Sequence, residues 1–226
     1  MFTLGKIAAE AEGVVCNMLD LTRGQFVKHV ITHPFEGFED LRWKKAGSMG
    51  IAFFVVCLLF VQQVAYSRLY GFQYYSDYDK IFNIVPYIFK SFILFGTWVV
   101  ANWAMCTLFD GEGTMKNIFI NSAYALIPYI SGYLIGTVMS HFLIQDEYVF
   151  IQAIEIIGTC WSFVLLISGI KAVHQFTFGK TIALMLLTIV AMIAILFLLV
   201  LLLTLFQQVL IFILSIYTEL SYRFRV

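Results

Sequence analysis

"TIALMLLTIVAMIAILFLLVLLLTLFQQVLIFILSIY", Thr181–Tyr217, contains neither glycine nor proline and no charged side chain. A helix that crosses a bilayer needs about 20 mostly apolar residues, and this run exceeds that length without a break. Gln207 and Gln208 could mark a hairpin and a sixth span. A lipid-exposed turn without Gly, Pro or Asn, however, would leave backbone groups unsatisfied. One long helix projecting beyond the bilayer on its far side is the expected form.

Four earlier segments meet the same criterion, roughly 47–69, 84–109, 117–142 and 149–171; the last span covers about 180–206 and extends to about 217. The whole chain agrees with them: 61% of its 226 residues are apolar and 12% charged, with a mean hydropathy of +0.88. A soluble domain is nearer half apolar and a quarter charged, so lipid must solvate much of this one. A formal net charge of zero argues against a nucleic-acid partner, which needs a basic face. Cys16, Cys57, Cys106 and Cys160 show neither CxxC pairing nor zinc spacing and read as reduced thiols. The expected fold is an all-α integral membrane protein. Five transmembrane helices form its membrane domain (47–226), preceded by a cytoplasmic amphipathic segment (1–46).

Orientation follows from lysine and arginine. Lys6, Arg23, Lys28, Arg42, Lys44 and Lys45 precede the first span, Lys116 follows the second, and Lys171 and Lys180 bound the fourth loop. The opposite loops hold Arg68 and Lys80, and no basic residue between His141 and Tyr148. The N-terminus is therefore expected in the cytoplasm of a plasma or bacterial inner membrane, and the C-terminus outside. The first twenty residues lack the apolar run of a signal peptide, so the N-terminus is expected to be retained. "LGKIAAEAEGVVCNMLDL" and "FVKHVITHPFEGFEDLRWKKAGS" space apolar residues as helices lying along the inner leaflet do. Pro34 breaks the second, and Trp43, Lys44 and Lys45 form an interfacial anchor.

An ionisable side chain within a bilayer marks a function or a structural pair. Lys90 and Glu155 lie at equal depth, about 9 Å below the outer boundary at 1.5 Å per residue. They are expected to form an ion pair between spans two and four; the alternatives are a snorkelling Lys90 or a coupling pair in a transporter. A second polar layer collects Asn102, Asp110, Glu112, Lys116, Asn121, His174 and Lys180. Asn102 and Asn121 could hydrogen-bond across spans two and three. In Asp110-Gly111-Glu112-Gly113, the glycines suit a tight turn through positive φ, and the carboxylates suit the N-terminus of span three.

Packing signals are clearer. Gly132, Gly136 and Ser140 form a small-residue stripe on span three, and Gly158 with Ser162 repeats it on span four; such stripes let helix backbones approach closely. Pro128 should kink span three and free a carbonyl near Tyr124. His29 and His33 are four apart, but Pro34 disfavours helical geometry at His33 and no further ligands are evident. No nucleophile elbow, phosphate loop or HExxH is present. No metal, cofactor or enzymatic activity is expected.

The chain resembles the Ypt-interacting-protein (YIP) domain family, in its bacterial branch. "HPFEGFEDL", "VVANWAMCTLFDGEGTMKNIFINSAYALIPYI", "WSFVLLISGIKAVHQFTFGKT" and "QQVLIFILSIYTELSYR" carry the likeness, which covers nearly all of the chain. The resemblance implies five spans with a cytoplasmic N-terminus. It also implies a non-enzymatic membrane scaffold or accessory subunit, associated with ABC-type sugar importers or with membrane trafficking and organisation. The partners it suggests are membrane lipids, ABC transporter subunits or a second copy. The long cytoplasmic N-terminal domain of eukaryotic members is missing, so their GTPase binding does not carry over. The competing reading is a small transporter or channel using Lys90 and Glu155.

Overall fold

The computed structural model describes residues 23–43, 47–74 and 82–224; the first predicted amphipathic stretch and Lys44–Lys45 of the anchor lie outside them. Helices dominate, and five are long and apolar enough to cross a membrane. Two short helices, α1 (Arg23–Thr32) and α2 (Pro34–Trp43), come first. Span one is α3 (Met49–Arg68) and span two α4 (Val85–Leu108), which contains a π-helical turn at Phe89–Ile93. Span three is divided into α5 (Met115–Ala125) and α6 (Ile127–Met139). Spans four and five are α7 (Tyr148–His174) and α8 (Phe178–Phe224). The last is one unbroken helix through Gln207 and Gln208, as an uncharged run without glycine or proline predicts.

Span three is the most enclosed of the five. It packs against α3, α4 and α7, and α7 lies mainly along α6. Its sequence explains the position: Asn121, Ser122, Ala123, Ala125, Gly132 and Gly136 are poor lipid-facing residues but allow close helix contact. The break comes where Pro128, in the first turn of α6, removes a backbone donor. Ser162 Oγ of α7 donates to the Ala125 carbonyl, so the kink is satisfied by a neighbouring helix. Tyr124 is buried and its hydroxyl accepts from the Ser48 N–H at 3.2 Å, satisfying an orphan donor at the start of α3.

At the crossing of α6 and α7 the backbones nearly touch. A Cβ on Gly158 would lie 2.8 Å from the Pro128 carbonyl oxygen and 3.3 Å from Gly132 Cα. The stripe continues to Ser140, whose Oγ donates to Thr137 O at 2.7 Å and accepts from Gly71 N at 2.8 Å.

The described part of the N-terminal segment joins the bundle. Pro34 starts α2 and His33 forms the bend before it. Val30 and Phe38 are fully buried in the main core, α2 packs on α7, and Trp161 Nε1 donates to the Ile31 carbonyl at 3.1 Å. By contrast, α8 is fully buried only at Thr181, Leu184, Met185 and Thr188; partial burial ends at Leu199, and every described residue beyond it is exposed.

Candidate functional site

The acidic-glycine turn closes on the loop after span four. Helix α4 ends with Asp110 at φ 61° and with the Gly111 N–H donating to Cys106 O at 2.8 Å. This six-residue closure is a Schellman turn, in which the left-handed residue follows the last helical ones. The expectation that glycines supply the positive φ is therefore corrected. Asp110 does so, as a short polar side chain can, and no described glycine has positive φ.

The two glycines serve close approach instead. A Cβ on Gly111 would fall 2.5 Å from His174 Nδ1, and one on Gly113 would fall 2.5 Å from His174 Cε1. The buried His174 ring thus lies in a cradle that only glycines leave open. Its Nδ1 accepts from the Gly113 N–H at 3.3 Å, which assigns that nitrogen as unprotonated in this contact. The ring stacks on Phe176 at 5.4 Å. Lys180 Nζ sits 4.3 Å from the Phe176 ring centroid and donates to the Phe109 carbonyl at 2.8 Å. A lysine there completes a carbonyl that the end of α4 would otherwise leave open. The expected carboxylate cap is also corrected: Thr114 caps α5, accepting from Asn117 N at 3.4 Å, and the first turn of α5 has no acidic residue. Asp110, Glu112 and Lys116 are exposed at this end.

Asn102 and Asn121 are both buried but do not bond to each other. Gly169 leaves a slot on α7 that the Asn121 carboxamide fills, while Asn102 Oδ1 accepts from Cys106 Sγ at 3.8 Å. Asn102 Nδ2 and Asn121 Oδ1 have no hydrogen-bond partner.

Lys90 and Glu155 are not an ion pair. Lys90, on the π-helical turn, is exposed and borders a groove of about 300 Å³ walled by Leu59, Phe95 and Leu126. Glu155 is 7% exposed and lies against Gly136, where a Cβ would come within 2.9 Å of its Oε1. Residue counting put the two at one level, but Lys90 shares its groove with Tyr129 while Glu155 lies against Gly136, further along span three. The extra residue of a π-turn also rotates what precedes it by about 100°.

Sequence reasoning missed the tyrosines near Glu155. Tyr66, Tyr70 and Tyr74 recur every fourth residue, a signal that the end of span one would have carried. Among the described residues, no three His, Cys, Asp or Glu side chains gather as metal ligands.

The architecture is that of a multi-pass, all-α membrane protein. Residues 28–202 match the family model of the Yip1 domain, and the chain belongs to that family. The matched region contains both loops of the His174 cradle and the whole α6–α7 crossing. No curated protein and no solved structure matches the chain.

Proposed function

We propose that the protein is a non-enzymatic membrane scaffold or accessory subunit, and that the end bearing the His174 cradle is its docking face. The observation that carries this reading is the division of labour at that end. Buried groups (His174, Phe176, Gly113) and the half-buried Gly111 hold two loops in one shape, while Asp110, Glu112 and Lys116 stand exposed beside exposed Leu108, Phe109, Met115 and Phe178. A rigid surface mixing charged and apolar side chains suits specific protein contact. The family resemblance supports a membrane-embedded partner, such as an ABC-type transporter subunit. Lysine and arginine placement puts this face in the cytoplasm and the C-terminus outside. The absence of a Lys90–Glu155 ion pair among the described residues favours the scaffold over a transporter built on that couple.

Reversing the exposed charges, with Glu112→Arg and Lys116→Glu together, should abolish co-purification of a membrane partner in mild detergent while helical content is unchanged. Retention of the same partner at wild-type yield would overturn the docking face. In a background without native cysteines, Thr114→Cys should react with an impermeant maleimide only after permeabilisation, and Asp146→Cys in intact cells. The opposite pattern would invert the assigned orientation.

A further inference from the structure

The other end of the bundle holds a cavity of about 550 Å³, lined by Tyr66, Tyr70, Gln73, Tyr74, Gln145 and Tyr148. Its aromatic walls form a chain of ring contacts. Tyr66 and Tyr70 are 4.9 Å apart, Tyr70 and Tyr74 5.8 Å, and Tyr74 and Tyr148 5.5 Å. Tyrosines at a membrane boundary often form an outward-facing belt. Here Tyr70 is only 7% exposed, and the rings surround a space.

The walls are fixed by hydrogen bonds. Tyr74 Oη donates to the Leu143 and Ile144 carbonyls, at 2.9 and 2.6 Å. Gln145 Nε2 donates to the Gln73 carbonyl at 2.6 Å, and the Gly71 N–H to Ser140 Oγ at 2.8 Å. Burial pushes the Tyr70 hydroxyl above its ordinary range, with neighbouring Tyr66 and Glu155 adding to the effect. The rings stay neutral and keep their electron-rich faces.

Among the described residues the surroundings are acidic. Glu155 lies two turns along α7 from Tyr148, outside the cavity lining and within electrostatic reach of Tyr70. Its Oε1 has no hydrogen-bond partner. Asp146 and Glu147 flank Gln145 and Tyr148 at the rim. The nearest basic side chain on α3, Arg68, is turned onto the Phe82 ring at 4.6 Å.

The geometry points to a binding site for an ammonium cation, held by the faces of Tyr66, Tyr70, Tyr74 and Tyr148, with Asp146 and Glu147 at the rim and Glu155 beyond the lining as the acidic groups nearby. Aromatic faces around a cavity are the arrangement that recognises quaternary and primary ammonium groups. The volume exceeds what a bare metal ion needs and matches a small organic ligand. The cation can come from a lipid headgroup of the choline or ethanolamine type, or from a free amine on the water side.

The test uses the purified full chain in a maltoside detergent, which carries no ammonium group. Tetramethylammonium and choline are titrated against matched sodium chloride, with thermal stability and tyrosine fluorescence as readouts. Native mass spectrometry then compares phosphatidylcholine and phosphatidylethanolamine with phosphatidylglycerol. Saturable binding of the soluble cations assigns the site to a water-side amine; retention of only the two ammonium lipids assigns it to headgroups; both outcomes support the site. Tyr148→Leu should weaken binding by about tenfold, whereas Tyr148→Phe, which keeps the ring face, should stay within about twofold of wild type. Glu155→Gln should weaken it with little loss of folding. The proposal is overturned if the folded protein binds no ammonium probe, if Tyr148→Leu binds as well as wild type, or if phosphatidylglycerol is retained equally.

Discussion

Gly158→Leu is expected to destabilise the protein by about 3 kcal/mol or more, read as a fall of roughly 10 °C in the apparent melting temperature in detergent. The cause is steric. Even the first carbon of a side chain would stand 2.8 Å from the Pro128 carbonyl and 3.3 Å from Gly132 Cα, so α6 and α7 would have to separate. Separation would also draw Ser162 away from the Ala125 carbonyl and leave the kink's acceptor unsatisfied in an apolar setting. Gly132→Leu should act in the same direction, since a Cβ there would lie 3.2 Å from the Ile154 carbonyl. Gly96→Leu is the control: nothing lies within 4 Å of the added carbon, and its melting temperature should match wild type. Equal melting of the Gly158 and Gly96 variants would remove the crossing from the account of stability.

His174→Ala should cost about 2–4 kcal/mol, from an emptied ring site and an unpartnered Gly113 N–H. It should also expose Cys106, which is fully buried beside the turn. With Cys16, Cys57 and Cys160 replaced, maleimide labelling of Cys106 should accelerate at least about tenfold if the loops part. Gly113→Val gives a sharper version. In the wild-type background its side chain would strike the His174 ring; with His174→Ala the same valine gains room, so the two changes together should cost less than their sum. Strictly additive costs would mean that the ring and the glycine do not share one space.

The spans were legible because hydropathy over about 20 residues is a local property, and lipid leaves the backbone no other choice. The kink at Pro128 and the stripe from Gly132 to Ser140 were legible for the same local reason. Two misreadings share a different cause. Asp110 rather than a glycine takes the left-handed conformation because the closure depends on the residue at which α4 stops, and a shift of one position reassigns the roles. Lys90 and Glu155 are equally far into their spans by residue count, but their neighbours on span three, Tyr129 and Gly136, are seven residues apart. Contact also requires matching rotation, which the π-turn at Phe89–Ile93 alters without a sequence mark. The His174 cradle unites residues more than sixty positions apart. Both of its blocks could be quoted from the chain, yet nothing local says that the glycines of one make room for the imidazole of the other. The tyrosines at the end of α3 were overlooked because single aromatic residues near a membrane boundary are common. Their value arises only when Tyr148 faces them.

The length of α8 also constrains the bilayer around it. Thr181–Tyr217 measures roughly 55 Å at 1.5 Å per residue, against a hydrocarbon thickness of about 30 Å. Tilt alone would have to approach 55–60°, well beyond the 0–40° that spanning helices adopt. Because every described residue after Leu199 is exposed, that outer part of the helix answers to lipid acyl length more than to protein packing. About 40 Å separates Thr181 from Gln207 and Gln208, so this amide pair acts as a depth mark: in thin membranes it emerges among headgroups, and in thick ones it stays submerged. A hydrophobic mismatch of this size should favour membranes of one thickness over another, through one helix and without any partner at the opposite face.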